Sequence, residues 1–319
     1  MELEKILPYQ TDMRPHPGPN RQNNFGLRTQ MNALETLFSF VNPWECDENN
    51  HSNVQFYFSR FEEADRQFQL LSGLSETLVG SRRVRHVRYH RELRVADLIT
   101  VTSHIAFDGP HMLTVVHEMR NGANGTLAAT ATDGYEPSIS ALKTLQSRLK
   151  AFQDPMPEEA APRGLAVSPY SQRPTPAALV EAGARVCFRG TVLARHLGPG
   201  NKADDKFAIA CFTDGVAHVW ERTPMTHAYL TENGYGRVAV EMKLTWISPL
   251  KAGDPVKVIS GLTGVADKTF TMRHHLFEAR TERLAAVCDV VALVMDLKKR
   301  GAVALPDTAR KQISGLLID

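Results

Sequence analysis

Two stretches of the chain repeat one another. Phe56 to Phe68 lies against Phe207 to Val219 at a constant offset of 151, so that Phe61-Glu-Glu63-Ala64 is answered by Phe212-Thr-Asp214-Gly215. The correspondence continues in the same order. Arg91 to Asp97 is answered by Ser248 to Asp254, and Met112 to Met119 by Phe270 to Phe277, which sets His117 opposite His275. Leu127-Ala-Ala is answered by Leu284-Ala-Ala. At 319 residues the chain has room for two domains of ordinary size, and the repeat says that they are two copies of one unit.

The unit can be read from its first copy. From Val54 apolar residues fall at 54, 57, 58, 61, 64, 68 and 71, steps of three and four that draw one stripe down a long helix. Ser72-Gly73 supplies the stop. After Gly80 the period changes to two, and four strands follow at roughly Arg83 to His90, Leu98 to Phe107, Met112 to Met119 and Thr126 to Thr132. Asp108-Gly109 and Asn121-Gly122 turn the chain between them. A helix with one continuous apolar stripe needs a sheet to cover it, so each half is expected to be a helix wrapped by an antiparallel sheet, an α+β unit. The expected organisation is a flexible arm over residues 1–28, one domain over 29–152, a Pro-rich extended linker over 153–180 and a second domain over 181–319.

Composition narrows the function. A net charge of +2 gives no reason to expect a nucleic acid or an anionic membrane as partner. No apolar run reaches the length of a membrane span; Leu284 to Leu297 is broken by Asp289 and Asp296. The first thirty residues lack the apolar core of an export signal, and Cys46, Cys187, Cys211 and Cys288 show no paired spacing. Reduced thiols and a cytoplasmic location are expected. No His, Cys and Asp cluster has ligand spacing, so neither a metal nor another cofactor is expected.

The chemistry is expected where the long helix begins. Asp47, His51 and Asn53 sit at or just before its N-terminus, among unpaired backbone N–H groups at the positive end of the dipole. A carboxylate there can attack a carbonyl, or activate water against it, while the donors hold the oxyanion. The same residues also suit an ordinary cap, with Asn53 as the capping residue.

Asp47-x-x-Asn50-His51-x-Asn53 is similar to the Asp-x-x-Gly-His-x-Asn signature of the 4-hydroxybenzoyl-CoA thioesterase type. Trp246-Ile-Ser-Pro249-Leu-Lys-Ala-Gly253-Asp254 and Met295 to Pro306 resemble a strand entry and an ending of the same family, the double-hotdog acyl-CoA thioesterases. The resemblance covers roughly residues 30–145 and 183–310, and Asn50 stands where the family has glycine. It implies two tandem hotdog domains paired as a pseudo-dimer, acyl-CoA as substrate and Asp47 as the catalytic carboxylate. His51 and Asn53 would orient the thioester or the turn. A second hotdog lineage carries its acid on the helix, which makes Glu63 and Asp214 further candidates. The arginine run from Arg82 to Arg94, with Arg83, Arg85 and Arg88 at its centre, suits the phosphates of coenzyme A or guards a sheet edge. Self-association of such chains stays open.

The second copy departs from the first in its turn. Gly198, Lys202 and Asp204 stand at the positions of Asp47, His51 and Asn53. A competing alignment would place Asp214 and His218 in the turn instead. One productive site per chain is therefore expected, at the Asp47 turn. The competing readings are a non-catalytic acyl-thioester binder and a hotdog hydratase or dehydratase.

Overall fold

The computed structural model describes residues 32–318. The expected arm over 1–28 lies outside them. In chain order the elements are β1 (Leu34–Phe40), α1 (Val54–Ser72), α2 (Glu76–Val79), β2 (Val84–Tyr89), β3 (Leu98–Ala106), β4 (Leu113–Asn121), β5 (Leu127–Tyr135) and α3 (Ile139–Arg148). There follow α4 (Pro176–Glu181), β6 (Arg185–Thr191), α5 (Asp205–Trp220), α6 (His227–Asn233), β7 (Tyr235–Trp246), β8 (Pro255–Val265), β9 (Thr269–Glu278), β10 (Leu284–Asp296), β11 (Gly301–Ala302) and α7 (Asp307–Ser314).

The two long helices begin at Val54 and Asp205, the offset of the sequence repeat, so Asp214 and His218 lie inside α5 and the competing alignment fails. Asn53 and Asp204 cap them by accepting from Gln55 N and Phe207 N. Gly73, at φ 71°, ends α1 in the left-handed conformation. Phe58, Phe61 and Phe68 are fully buried on the α1 stripe, each contributing about 2–3 kcal/mol by leaving water. The stripe stops there, since Leu71 is exposed. Gly215 stands where the first copy has Ala64, and α5 runs close to its edge strand there. A Cβ at Gly215 would stand 2.9 Å from Cys187 Sγ.

The strands form one continuous sheet in the order β1-β3-β4-β5-β2-β7-β10-β9-β8-β6, with β11 beside β10. Each half is a hotdog, its helix against its own antiparallel strands, and α1 packs against α5. The halves join where β2 pairs with β7. Val84 lies opposite Thr245 and Arg88 opposite Glu241, evenly about the His86–Lys243 pair, as a pseudo-two-fold axis requires. Even the edge strands match: β1 and β6 carry register shifts at Glu35/Leu37 and Val186/Phe188.

The structure corrects three expectations. The partner of His117 is His274, not His275. Ser103 Oγ meets His117 Nδ1 at 2.7 Å, and Ser260 Oγ meets His274 Nδ1 at 2.7 Å. A slip of one residue along a strand changes the face, and His275 turns the other way, to Tyr170. The arginine run does not guard an edge, because β2 is central. The Pro-rich stretch is a strap bound to the sheet. Glu241, Lys243 and Thr245 share one face of β7, and their polar ends are met by strap backbone. Glu241 accepts from Arg163 N, Gly164 N and Leu165 N. Lys243 donates to Ala166 O and Ser168 O, and Thr245 Oγ1 accepts from Tyr170 N.

Candidate active site at the seam of the halves

The pseudo-two-fold axis creates two seams, each bringing the turn before one long helix toward the other half. In the first copy the turn is tight. Asp47 Oδ1 accepts from Asn49 N at 2.8 Å and His51 N at 3.1 Å. Asn50 sits at φ 58°, the conformation a glycine would take, so the departure from the family pattern leaves the turn intact. His51 Nε2 is 3.3 Å from Glu92, which also pairs with Arg300. Burial lowers the His51 pKa, and Arg300 and Arg94 add to this against Asp47. Asp47 and His51 thus share one turn, and Asn53 caps the helix that follows it. Asn49 reaches toward Gly236 at the start of β7.

In the second copy Asn201 takes the place of Asn50, at φ 54°, and Gly198 the place of Asp47. Gly198 faces α1: a Cβ on it would lie 3.7 Å from Glu62 Oε1 and 3.8 Å from Arg66 Nη1. Between this turn and α1 lies a cavity of about 280 Å³. Its two walls differ. Glu62, Asp65, Gln69, Arg82 and Tyr135 supply the polar one, from the first copy. Pro199, Ala203, Trp246, Ile247 and Pro249 supply the apolar one, from the second, which also brings Lys202 and Asp205 to the lining.

The polar wall rests on ion pairs that cross between the halves. Arg85, fully buried, spends its fork on Asp133 (2.8 and 2.5 Å), and its Nη1 donates to Asp205 at 2.9 Å. It also donates to Phe58 O and Phe61 O, binding α1 to β2. Arg82 Nη2 donates to Asp205 Oδ2 at 2.6 Å, and Trp246 Nε1 donates to Asp205 Oδ1 at 2.7 Å. Tyr135 donates to Asp65, which also accepts from Gln69. The Asp205 backbone N–H donates to Glu62 Oε2 at 3.2 Å.

Four carboxylates therefore share two arginines. Burial works against the charge of Asp133, but Arg85 and Arg82 outweigh it and hold that carboxyl well below the usual range. Asp65 moves the other way, pushed up by burial and by Asp133. Glu62 is pushed up to about 7 by burial and by the Asp205 carboxylate, with Arg82 and Arg85 opposing. A carboxylic acid that titrates near neutrality in a cleft can exchange protons with a substrate or with water.

The remaining sequence candidates fall elsewhere. Glu63 is 43% exposed and pairs with Arg66 on the solvent side of α1, one residue beyond the acid that faces the cavity. Asp214 is exposed on α5. Arg85 has no fork left for a phosphate, and Arg88 donates to Glu158 O and Ala161 O of the strap. Of the three central arginines Arg83 alone lines the cavity. The sequence reading missed Glu62, Asp65 and Asp205, and named Arg82 only as the start of the arginine run. A signal existed in the spacing of Glu62, Asp65 and Gln69, which puts them on one helical face beside the apolar stripe.

Asp65, His117 and Asp133 bring ligand atoms within 4.8 Å of one another. The positive charge there is already supplied by Arg82 and Arg85, so the set is an ion-pair cluster and not an open cation site. Ser103, His117 and Asp133 form a string without access to substrate, since all three are fully buried.

Residues 194–313 match the profile of the thioesterase-like superfamily. No curated protein matches the chain by sequence. Among solved structures the fold is similar to that of an oleoyl thioesterase from Lactobacillus plantarum, at 13% identity and TM-score 0.54, over 82% of this chain and 97% of that one. It is also similar to the 12:0-ACP thioesterase from Umbellularia californica, at 11% identity and TM-score 0.53, over 80% and 92%. An acyl-ACP thioesterase from Bacteroides thetaiotaomicron gives 7% identity and TM-score 0.51, over 80% and 96%. These likenesses establish the double-hotdog fold.

Proposed function

We propose, for a double-hotdog chain whose second half matches the thioesterase-like superfamily, that it hydrolyses an acyl-CoA thioester at the seam that holds the cavity. In this reading residues 29–152 and 181–319 are the two hotdog domains and 153–180 the connection. One observation carries the assignment of the site: a carboxylic acid with its pKa raised to about 7 stands in a cavity beside the N-terminus of α5. Ionised Glu62 takes a proton from water as the oxygen adds to the thioester carbon. The positive end of the α5 dipole stabilises the oxyanion. The thiolate leaves as the carbonyl re-forms, and Glu62 returns the proton to it. Arg66, Arg83 and Lys202, on the cavity's lining, suit the phosphates of coenzyme A.

A second reading keeps the reaction and moves it to the Asp47 turn. The observation for it is the intact turn, with Asn50 in the left-handed conformation and His51 beside Asp47. The seams thus divide the two acids. Asp47 has no helix acid opposite, since Thr213 and Val216 replace Glu62 and Asp65; Glu62 has no turn acid opposite, since Gly198 replaces Asp47. Release of free thiol from acyl-CoA by the Glu62→Gln and Asp47→Asn proteins separates them. Loss in the first alone supports the cavity, and loss in the second alone supports the turn. A purified protein that releases no thiol from any acyl-CoA sinks both.

A further inference from the structure

The cavity also limits what can be hydrolysed in it. Its walls are selective. A plain hydrocarbon would satisfy Trp246, Ile247 and Pro249 but strip water from the opposite wall and return nothing to it.

That opposite wall has spare donors. Arg82 is 12% exposed and lines the cavity. Its Nη2 is committed to Asp205, but its Nη1 lies 3.6 Å from Asp133 and 3.9 Å from Asp65, beyond hydrogen-bonding range. Asp65 already accepts from Tyr135 and Gln69. A guanidinium with unspent N–H groups in a cleft calls for an acceptor oxygen.

We infer that the cavity takes an oxygenated acyl group, with a hydroxyl, keto or carboxylate oxygen that accepts from Arg82. This rests on the thioesterase reading of the same cavity. The second half contributes the flat apolar face against which the carbon skeleton lies, and the first half contributes the acceptor's partner. Neither half alone would make this site.

The test compares four thioesters with the whole protein: hexanoyl-, 3-hydroxyhexanoyl-, adipoyl- and dodecanoyl-CoA. The better of the two oxygenated esters should exceed hexanoyl-CoA in kcat/KM by at least about tenfold, equivalent to about 1.4 kcal/mol, and should exceed dodecanoyl-CoA, which also lacks the oxygen. In Arg82→Gln the ratio of oxygenated to plain ester should fall toward one. Should that variant not fold, the ratio in the unaltered protein still decides. Hexanoyl-CoA matching both oxygenated esters, or dodecanoyl-CoA turning over fastest, overturns the inference and leaves the thioesterase reading standing. Failure of all four esters, with no calorimetric binding of adipate or 3-hydroxyhexanoate, overturns both.

Discussion

Replacing Glu62 by Gln tests the acid and its environment together. Glutamine has the same size and keeps an oxygen for the Asp205 N–H, which now reaches Glu62 at 3.2 Å. What disappears is the proton-accepting charge. Loss of a positioned general base lowers kcat by about 10²–10⁴-fold. The pH dependence adds a second signature. Glu62 moves from an ordinary 4.5 to about 7 through burial and the Asp205 charge, so kcat/KM of the parent should rise about tenfold per pH unit up to about pH 7 and then level off. Stability should behave oppositely. A carboxyl whose pKa is raised on folding holds its proton more tightly when folded. Its contribution is complete below the unfolded value of 4.5 and is lost as pH rises through about 7. At about 1.4 kcal/mol per unit the full shift is worth roughly 3 kcal/mol, and relaxation around the site reduces that to about 1–2 kcal/mol. Glu62→Gln should therefore melt above the parent at pH 8, with the gap closing near pH 5. Thiol release and thermal melts across that range give both readings. An active Glu62→Gln protein, or a rate profile that inflects near pH 4.5, refutes the reasoning.

Asp47→Asn keeps the Oδ1 acceptor of its turn, so turnover should stay within about threefold of the parent; a loss of about a hundredfold, the scale of a missing acid or base, would move the site to the Asp47 seam. Arg85→Met leaves Asp133 and Asp205 short of their common partner, which should cost about 3–5 kcal/mol in chemical denaturation; an unchanged midpoint would show that the pairs contribute nothing. Glu241→Gln weakens three backbone bonds to the strap, and tryptic cleavage after Arg163, followed by mass, should accelerate; equal rates would mean that the strap is held elsewhere. Asn50→Gly should leave the melting temperature unchanged, whereas Asn50→Val should cost roughly 1–2 kcal/mol at this positive φ.

The fold was largely legible because its cues are local. The stripe from Val54, the stop at Gly73 and the switch to period two after Gly80 each depend on a few neighbouring residues, and α1 and β2 to β5 lie where those cues put them. The repeat then located α5. What stayed hidden depends on which strand lies beside which. β2 reads as a strand, but nothing in its sequence says that its neighbour is β7, and so Arg85 looked available for a phosphate when it is sealed between Asp133 and Asp205. The cavity was hidden for the same reason, because Glu62 on α1 and Gly198 ahead of α5 meet only through the pseudo-two-fold axis. His117 was set against His275 because the repeat is too faint in the strands to fix register to one residue, and Ser103 with Ser260 fixes it.

The continuous sheet has a consequence for how such a protein can change. In a dimer of identical chains every substitution is written twice, once at each seam, and any gain at one is tied to its effect at the other. Here β2 and β7 are parts of one chain, and different codons specify each side. The Arg85–Asp205 pair could arise at one seam while its mirror position received Met242 and Val54. The same covalent tie sets the local concentration of one half around the other, so dilution cannot part them. A chain built this way can keep one pocket at work while the opposite seam is free to drift.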